Sequence, residues 1–197
     1  MRFRSITGSH AGRLGLVAVP VAVAVSMLTA GVAQGSVPVS FAISGSQFQI
    51  SADLLEGTSF SQYGGTATDT AGVEHAVAIA NIGSAQLTNL CQSVVTQTPA
   101  GPVGMLITAG GEGTPVEASG LQIGMTDLKG DTTFTDVRIG VDASTVITEA
   151  KGAAGDFAQD SSSLKITGLQ QTAWTTQAAV FTLNDMHVQL TDGETCF

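Results

Sequence analysis

The chain has 197 residues, a formal net charge of −9 at pH 7, few charged side chains (12%) and only two cysteines. The part after Ala33 carries four basic residues, Lys129, Arg138, Lys151 and Lys165, against all 16 acidic ones, a balance of −12. Such a domain repels phosphate backbones and anionic headgroups, so nucleic acid is excluded as a partner and so is electrostatic docking on anionic lipid. The charges are scattered along the chain, which fits acidity that serves solubility.

At the N-terminus, Arg2, Arg4 and Arg13 precede an apolar run from Leu14 to Ala33. Basic residues, an apolar stretch and then small residues form the signature of a secretory signal. Gly31-Val32-Ala33 places small residues where a signal peptidase reads, so cleavage is expected between Ala33 and Gln34. The run is about 20 residues, also long enough to cross a bilayer as a helix. An uncleaved anchor over 1–33 is therefore the competing reading, with membrane contact through that segment. No cysteine stands directly after the run to carry a lipid. Residues 34–197 are enough for one exported domain with a real core.

Beyond the export segment the pattern is β throughout. Val37, Val39, Phe41 and Ile43 alternate, Ser44-Gly45-Ser46 interrupts, and Phe48, Ile50, Ala52 and Leu54 alternate again. This predicts two strands around a turn. Residues 56–65 read as a loop. Val77 and Ile79 open a strand that leads into 87–94; Pro99, Gly101 and Pro102 break the chain, and Val103, Met105 and Ile107 resume the alternation. A second loop is expected at 109–115. Strand signals crowd 116–146, residues 149–163 are polar, and 164–190 is the last β block, with Trp174 inside it. No strong amphipathic helix appears.

One local pattern recurs: apolar, polar, then Asn, Asp or Gly, then apolar. Its copies are Ile79-Ala-Asn81-Ile82, Leu87-Thr-Asn89-Leu90, Met125-Thr-Asp127-Leu128, Phe134-Thr-Asp136-Val137, Ile166-Thr-Gly168-Leu169 and Leu183-Asn-Asp185-Met186. Side chains alternate faces along a strand, so residues three apart point oppositely unless the chain bends. Asn, Asp and Gly at the third position tolerate the left-handed conformation of such a bend. Strand–corner–strand units are one reading; ordinary strands with bulges or tight turns are the other. The expected fold is all-β: a single domain of short strands with tight corners, β-solenoid-like or a β-sandwich. Cys91 and Cys196 are the only cysteines, and an oxidising compartment would join them, stapling the C-terminus onto 87–94.

Four phrases carry a resemblance: Phe60-Ser-Gln62-Tyr63-Gly64, Asn89-Leu-Cys91-Gln-Ser-Val-Val-Thr96, Gln171-Thr-Ala-Trp174, and a terminal Cys196 followed by an aromatic residue. In this order they resemble a family of small exported actinobacterial proteins of unknown function, common in Streptomyces, some of which are labelled cholesterol esterase. The resemblance spans nearly the whole chain. It implies export and envelope association and brings no catalytic residues.

An esterase of the α/β-hydrolase type needs Gly-x-Ser-x-Gly between a strand and a helix. Gly57-Thr-Ser59-Phe-Ser61 comes nearest and lacks the second glycine. A triad on another fold would need His75 or His187 as base, the only histidines after Ala33. His75 reads better as a surface histidine beside Glu74, and His187 as a strand-face one. Asp127, Asp131 and Asp136 offer oxygen ligands suited to calcium but match no calcium loop, so turn positions explain them better. Gly110-Gly-Glu112-Gly113 lacks the Lys-Ser/Thr pair of a phosphate loop. Tyr63 and Trp174 fit packing better than a sugar platform. Neither a catalytic residue, a metal ligand nor a cofactor is assigned. The sequence thus points to an exported envelope or extracellular β protein that binds an unidentified envelope partner on a concave face. A carrier of an apolar ligand such as lipid is the alternative, and a secreted esterase stands behind both.

Overall fold

The computed structural model describes residues 44–111 and 113–197. The apolar run, the Ala33–Gln34 junction, the expected strand at 37–43 and Glu112 lie outside them. Among the described residues there are nine strands and one 3₁₀ turn. The strands are β1 (Phe48–Thr68), β2 (Glu74–Thr88), β3 (Leu90–Thr98), β4 (Gly101–Ala109), β5 (Val116–Thr135), β6 (Arg138–Asp142), β7 (Phe157–Gln177), β8 (Val180–Thr182) and β9 (His187–Thr191); the turn is Ala143–Thr145.

The protein is all-β, as the alternation predicts, and its strands form one sheet in the order β6-β7-β5-β2-β1-β3-β4-β9. Every pairing is antiparallel, and β7 also pairs β1, so the path β7-β5-β2-β1 closes on itself. Two expectations are corrected here. Strands β1, β2, β5 and β7 are long, 15 to 21 residues, not short. Residues 56–65 are not a loop but the middle of β1. The reason is the same for both: the chain bends at single residues without leaving the ladder, so its backbone groups stay paired.

The bends line up across neighbouring strands. Ser59 of β1 stands between the pairs Thr58↔Ser84 and Phe60↔Ile82, opposite Gly83 of β2. Gly83 in turn faces Gly120 of β5, and Ser59 faces Ser162 of β7. Ser59 and Gly120 have φ of 54° and 57°, in the left-handed region. A Cβ on Gly83 would sit 3.0 Å from the Cβ of Ser59, so the stacked corners need glycine there. A second line joins Gly168 of β7, with φ 65°, to Asp53 of β1, which lies opposite it. The Asp53 carboxylate accepts a hydrogen bond from the Asn89 side-chain amide at 2.6 Å. Asn89 has φ 54°, and its N–H donates to the Gly110 carbonyl.

Between the two corner lines lies a six-segment layer. Its order is β5 (131–135), β7 (163–167), β1 (54–58), β2 (84–88), β5 (116–119) and β8. The middle of β5, 121–129, bonds β2 on one edge and β7 on the other and closes the sheet. Apolar side chains of all four long strands meet inside: Leu55, Phe60, Ile82, Leu121, Ile166 and Leu169 are all at most 5% exposed.

Candidate functional site

The chain covers two of the sheet's outward faces itself. Ser61 and Tyr63 point outward from β1, and residues 138–156 lie over them. Tyr63 packs with Ala143, Val146 and Ala158, and the Ser61 hydroxyl bonds the Thr148 hydroxyl at 2.5 Å. Asp160 pins this strap from beneath. Only 1% of its side chain is exposed; Arg138 donates to both its oxygens, from Nε at 2.8 Å and from Nη2 at 2.5 Å, and the Ile147 N–H adds a third bond at 2.8 Å. The Arg138 guanidinium holds the Asp160 carboxyl below the usual carboxylate range, with the Ile147 N–H acting in the same direction. At the strap's turn Asp142 is also held low, by the Ser144 hydroxyl first and then by the N–H groups of Ser144 and Gly155.

The second covered face is that of β3 and β4. Here the expected cysteine pair is brought to disulfide distance: Cys91 and Cys196 have Sγ–Sγ 2.10 Å and Cα–Cα 5.8 Å. β9 pairs β4, which pairs β3, and the tail after Thr191 folds back over that sheet. The Cys196 N–H donates to the Ser93 hydroxyl at 3.0 Å, and a Cβ on Gly104 would sit 3.2 Å from the Glu194 carbonyl oxygen.

The outward face of the six-segment layer is different. No described segment crosses it, and it forms a shallow concavity of about 790 Å³. Its side chains form two rows across the strands. The register places Thr135, Ser163, Thr58, Ser84 and Ser119 in line, one hydroxyl from each of five segments, with Val180 of β8 at the end. The row beside it is Thr133, Lys165, Glu56, Gln86, Glu117 and Thr182. The Thr58 and Ser84 hydroxyls bond each other at 2.7 Å, and Lys165 Nζ donates to Glu56 Oε1 at 3.0 Å. The central inward positions between the rows are small. Gly57 pairs Ala85, which pairs Ala118, and a Cβ on Gly57 would meet Ile82 and Leu164 at under 3 Å.

Among the described residues, two small cavities of about 60 and 20 Å³ lie among the core side chains, with Gln171 lining both. Pockets that hold small-molecule ligands run to roughly 300–1,000 Å³, so neither takes an acyl chain.

The other residues singled out from the sequence fall elsewhere. His75 faces Asp69, not Glu74: its Nε2 lies 3.1 Å from Asp69 Oδ2, and its ring stacks on Trp174 at 3.8 Å between centroids. Asp69 also accepts from the N–H groups of Val73 and Ala71; its carboxyl is held below its usual range by Val73 first, then by His75. This group closes the β1–β2 turn. His187 lies on β9, opposite Thr108, well apart from His75 in the sheet order. Asp136 is a corner residue with φ 52° that accepts from the Ser162 hydroxyl at 3.0 Å; Asp127 sits at a bulge, 3.5 Å from Lys129. Among the described residues no three His, Cys, Asp or Glu side chains gather as a metal site.

Residues 44–197 match the model of a family of unknown function, DUF6230. The chain belongs to that family. No curated protein and no solved structure matches it. Membership in DUF6230 agrees with the coarser part of the resemblance drawn from Asn89–Thr96 and Gln171–Trp174, a family whose function is not defined. The two rows of the concave face escaped the sequence reading. Each residue in them looks like an ordinary outward strand position, and only the register aligns them.

Proposed function

We propose that this DUF6230 protein is an exported, non-enzymatic binding module of the cell envelope, and that the concave face of the six-segment layer is its contact surface. One observation carries the reading. The strap covers one outward face and the C-terminal tail another, while this face bears ordered polar rows and no described segment crosses it. Outward faces covered by the chain's own segments are structural; a concave face with aligned hydrogen-bonding groups has chemistry left to offer. Export is supported by the tripartite N-terminal segment and by two cysteines at bonding distance, which suit an oxidising compartment.

The test uses the full exported protein from its producing cell. Ser84 points outward near the centre of the face, so Ser84→Trp fills it without touching the core. The wild type is expected to sediment with isolated envelopes and the variant to stay in solution, with unchanged circular dichroism. Equal sedimentation of the two proteins overturns the assignment of the face.

A further inference from the structure

The polar face is specific about the chemistry it suits. Neighbouring strands are about 4.8 Å apart, so five hydroxyls in line span about 19 Å. A serine or threonine hydroxyl both donates and accepts, Gln86 does the same through its amide, Lys165 donates and the two glutamates accept. A ligand that satisfies this set must itself carry donors and acceptors together, repeated along its length. Hydroxyl groups of a sugar chain do this; an acyl chain does not, and among the described residues the one large exposed apolar side chain on this face, Val180, sits at the rim. Glu56 and Glu117, on a domain with a balance of −12, disfavour phosphate-bearing or carboxylated polymers. The rise per sugar of an extended β-1,4-linked glycan is close to the strand spacing, so successive sugars meet successive strand segments.

We infer that the concave face binds an uncharged, extended polysaccharide strand laid across the sheet, about one sugar per strand segment. The hydroxyl row contacts one edge of the chain, and the row from Thr133 to Thr182 contacts the other. The Thr58–Ser84 and Lys165–Glu56 hydrogen bonds hold the central groups in place before the ligand arrives. Binding through exposed hydrogen bonds alone is weak for each sugar, because every bond replaces one to water. Affinity therefore depends on length.

This inference rests on the concave-face reading, and its experiment separates the two. The full exported protein is titrated with chitohexaose, cellohexaose and the corresponding disaccharides, followed by isothermal calorimetry. A hexamer is expected to bind saturably in the millimolar range or tighter, and a disaccharide roughly tenfold or more weakly. Thr58→Val with Ser84→Ala removes two central hydroxyls at nearly constant volume and is expected to weaken the hexamer by roughly tenfold. Absence of binding by both hexamers overturns the glycan inference. So does equal affinity for dimer and hexamer, or full affinity in a variant whose circular dichroism shows it folded. If the hexamers fail while Ser84→Trp still releases the protein from envelopes, the face keeps its role and its ligand is not a glycan. If Ser84→Trp has no effect either, both readings fall.

Discussion

Joining Cys91 to Cys196 closes a loop of 105 residues. In the chain-entropy relation a closure of this size removes about 4.7 kcal/mol of freedom from the unfolded chain. A domain of this size loses roughly 2–4 °C of melting temperature per kcal/mol, so Cys196→Ser is expected to lower Tm by about 9–19 °C. The structure also says where the loss appears first. The tail lies on β3 and β4 through Cys196 N–H to Ser93 and through its packing over Gly104, and β9 is bonded to β4 alone. The six-segment layer at 54–58 has neighbours on both sides. Amide exchange should therefore rise over 187–197 well before it rises over 54–58. Thermal melting by circular dichroism and exchange mass spectrometry read the two effects. A Tm loss below about 3 °C, or exchange that rises evenly along the chain, refutes the reasoning. Free thiols titrated in the native exported protein would refute the pairing itself.

Asp69, Asp142 and Asp160 all have carboxyls held below their usual range. A depressed folded value contributes stability that is present above the unfolded carboxylate pKa of about 3.9 and disappears as pH falls through the folded values. Denaturant melts should thus show stability flat from neutral pH to about pH 4 and falling below it, with exchange rising first in the strap at 138–156; rising stability below that pH contradicts this. Gln171 is 2% exposed, and its Nε2 has no hydrogen-bond partner among the described residues. Gln171→Met keeps the volume and removes the unpaired donor, and is expected to stabilise by about 1–2 kcal/mol in urea unfolding. A loss of stability of that size would show that the amide is satisfied.

The recurring tetrapeptide pattern was informative because a left-handed residue is a local property. Asn89, Asp136, Asp185 and Gly168, all at its third position, have φ between 52° and 65°. Asn81 and Asp127 occupy the same position without the bend. Asn81 stays in the ladder on the outward face, buried beneath the strap beside Ser61, where its amide donates to Ser61 at 3.2 Å and its carbonyl oxygen accepts from Gln122 at 2.8 Å, a polar chain that ends at the strap. Asp127 is taken up by a bulge in the β5–β7 ladder. Ser59 bends with φ 54° although serine seldom does, and Ala118-Ser-Gly120-Leu121 repeats the pattern at another true corner. The sequence marks which residues can bend. It does not say which bends become loops, and for that reason 56–65 read as a loop and is a strand. The strap depends on the Arg138–Asp160 pair, 22 residues apart, which no local pattern announces.

The corners explain more than the path of the chain. Moving a strand by one residue in its register sends every side chain to the opposite face. Ser59, Gly83 and Gly120 can stack only in one alignment, because the Cβ space at Gly83 is taken by Ser59. The same alignment places Thr58 beside Ser84 and Ser84 beside Ser119, one residue away from each corner. At the other end of the layer, Asp53 and Gly168 set Glu56 against Lys165, three residues along. The rows on the concave face are thus a consequence of the corners. A substitution that shifts a corner, such as Gly83→Val, should disrupt both rows together, whereas Thr58→Val alters one hydroxyl and leaves the register intact. Fold and site share their determinants in this protein, so a corner residue far from any ligand contact governs whether the outward groups line up.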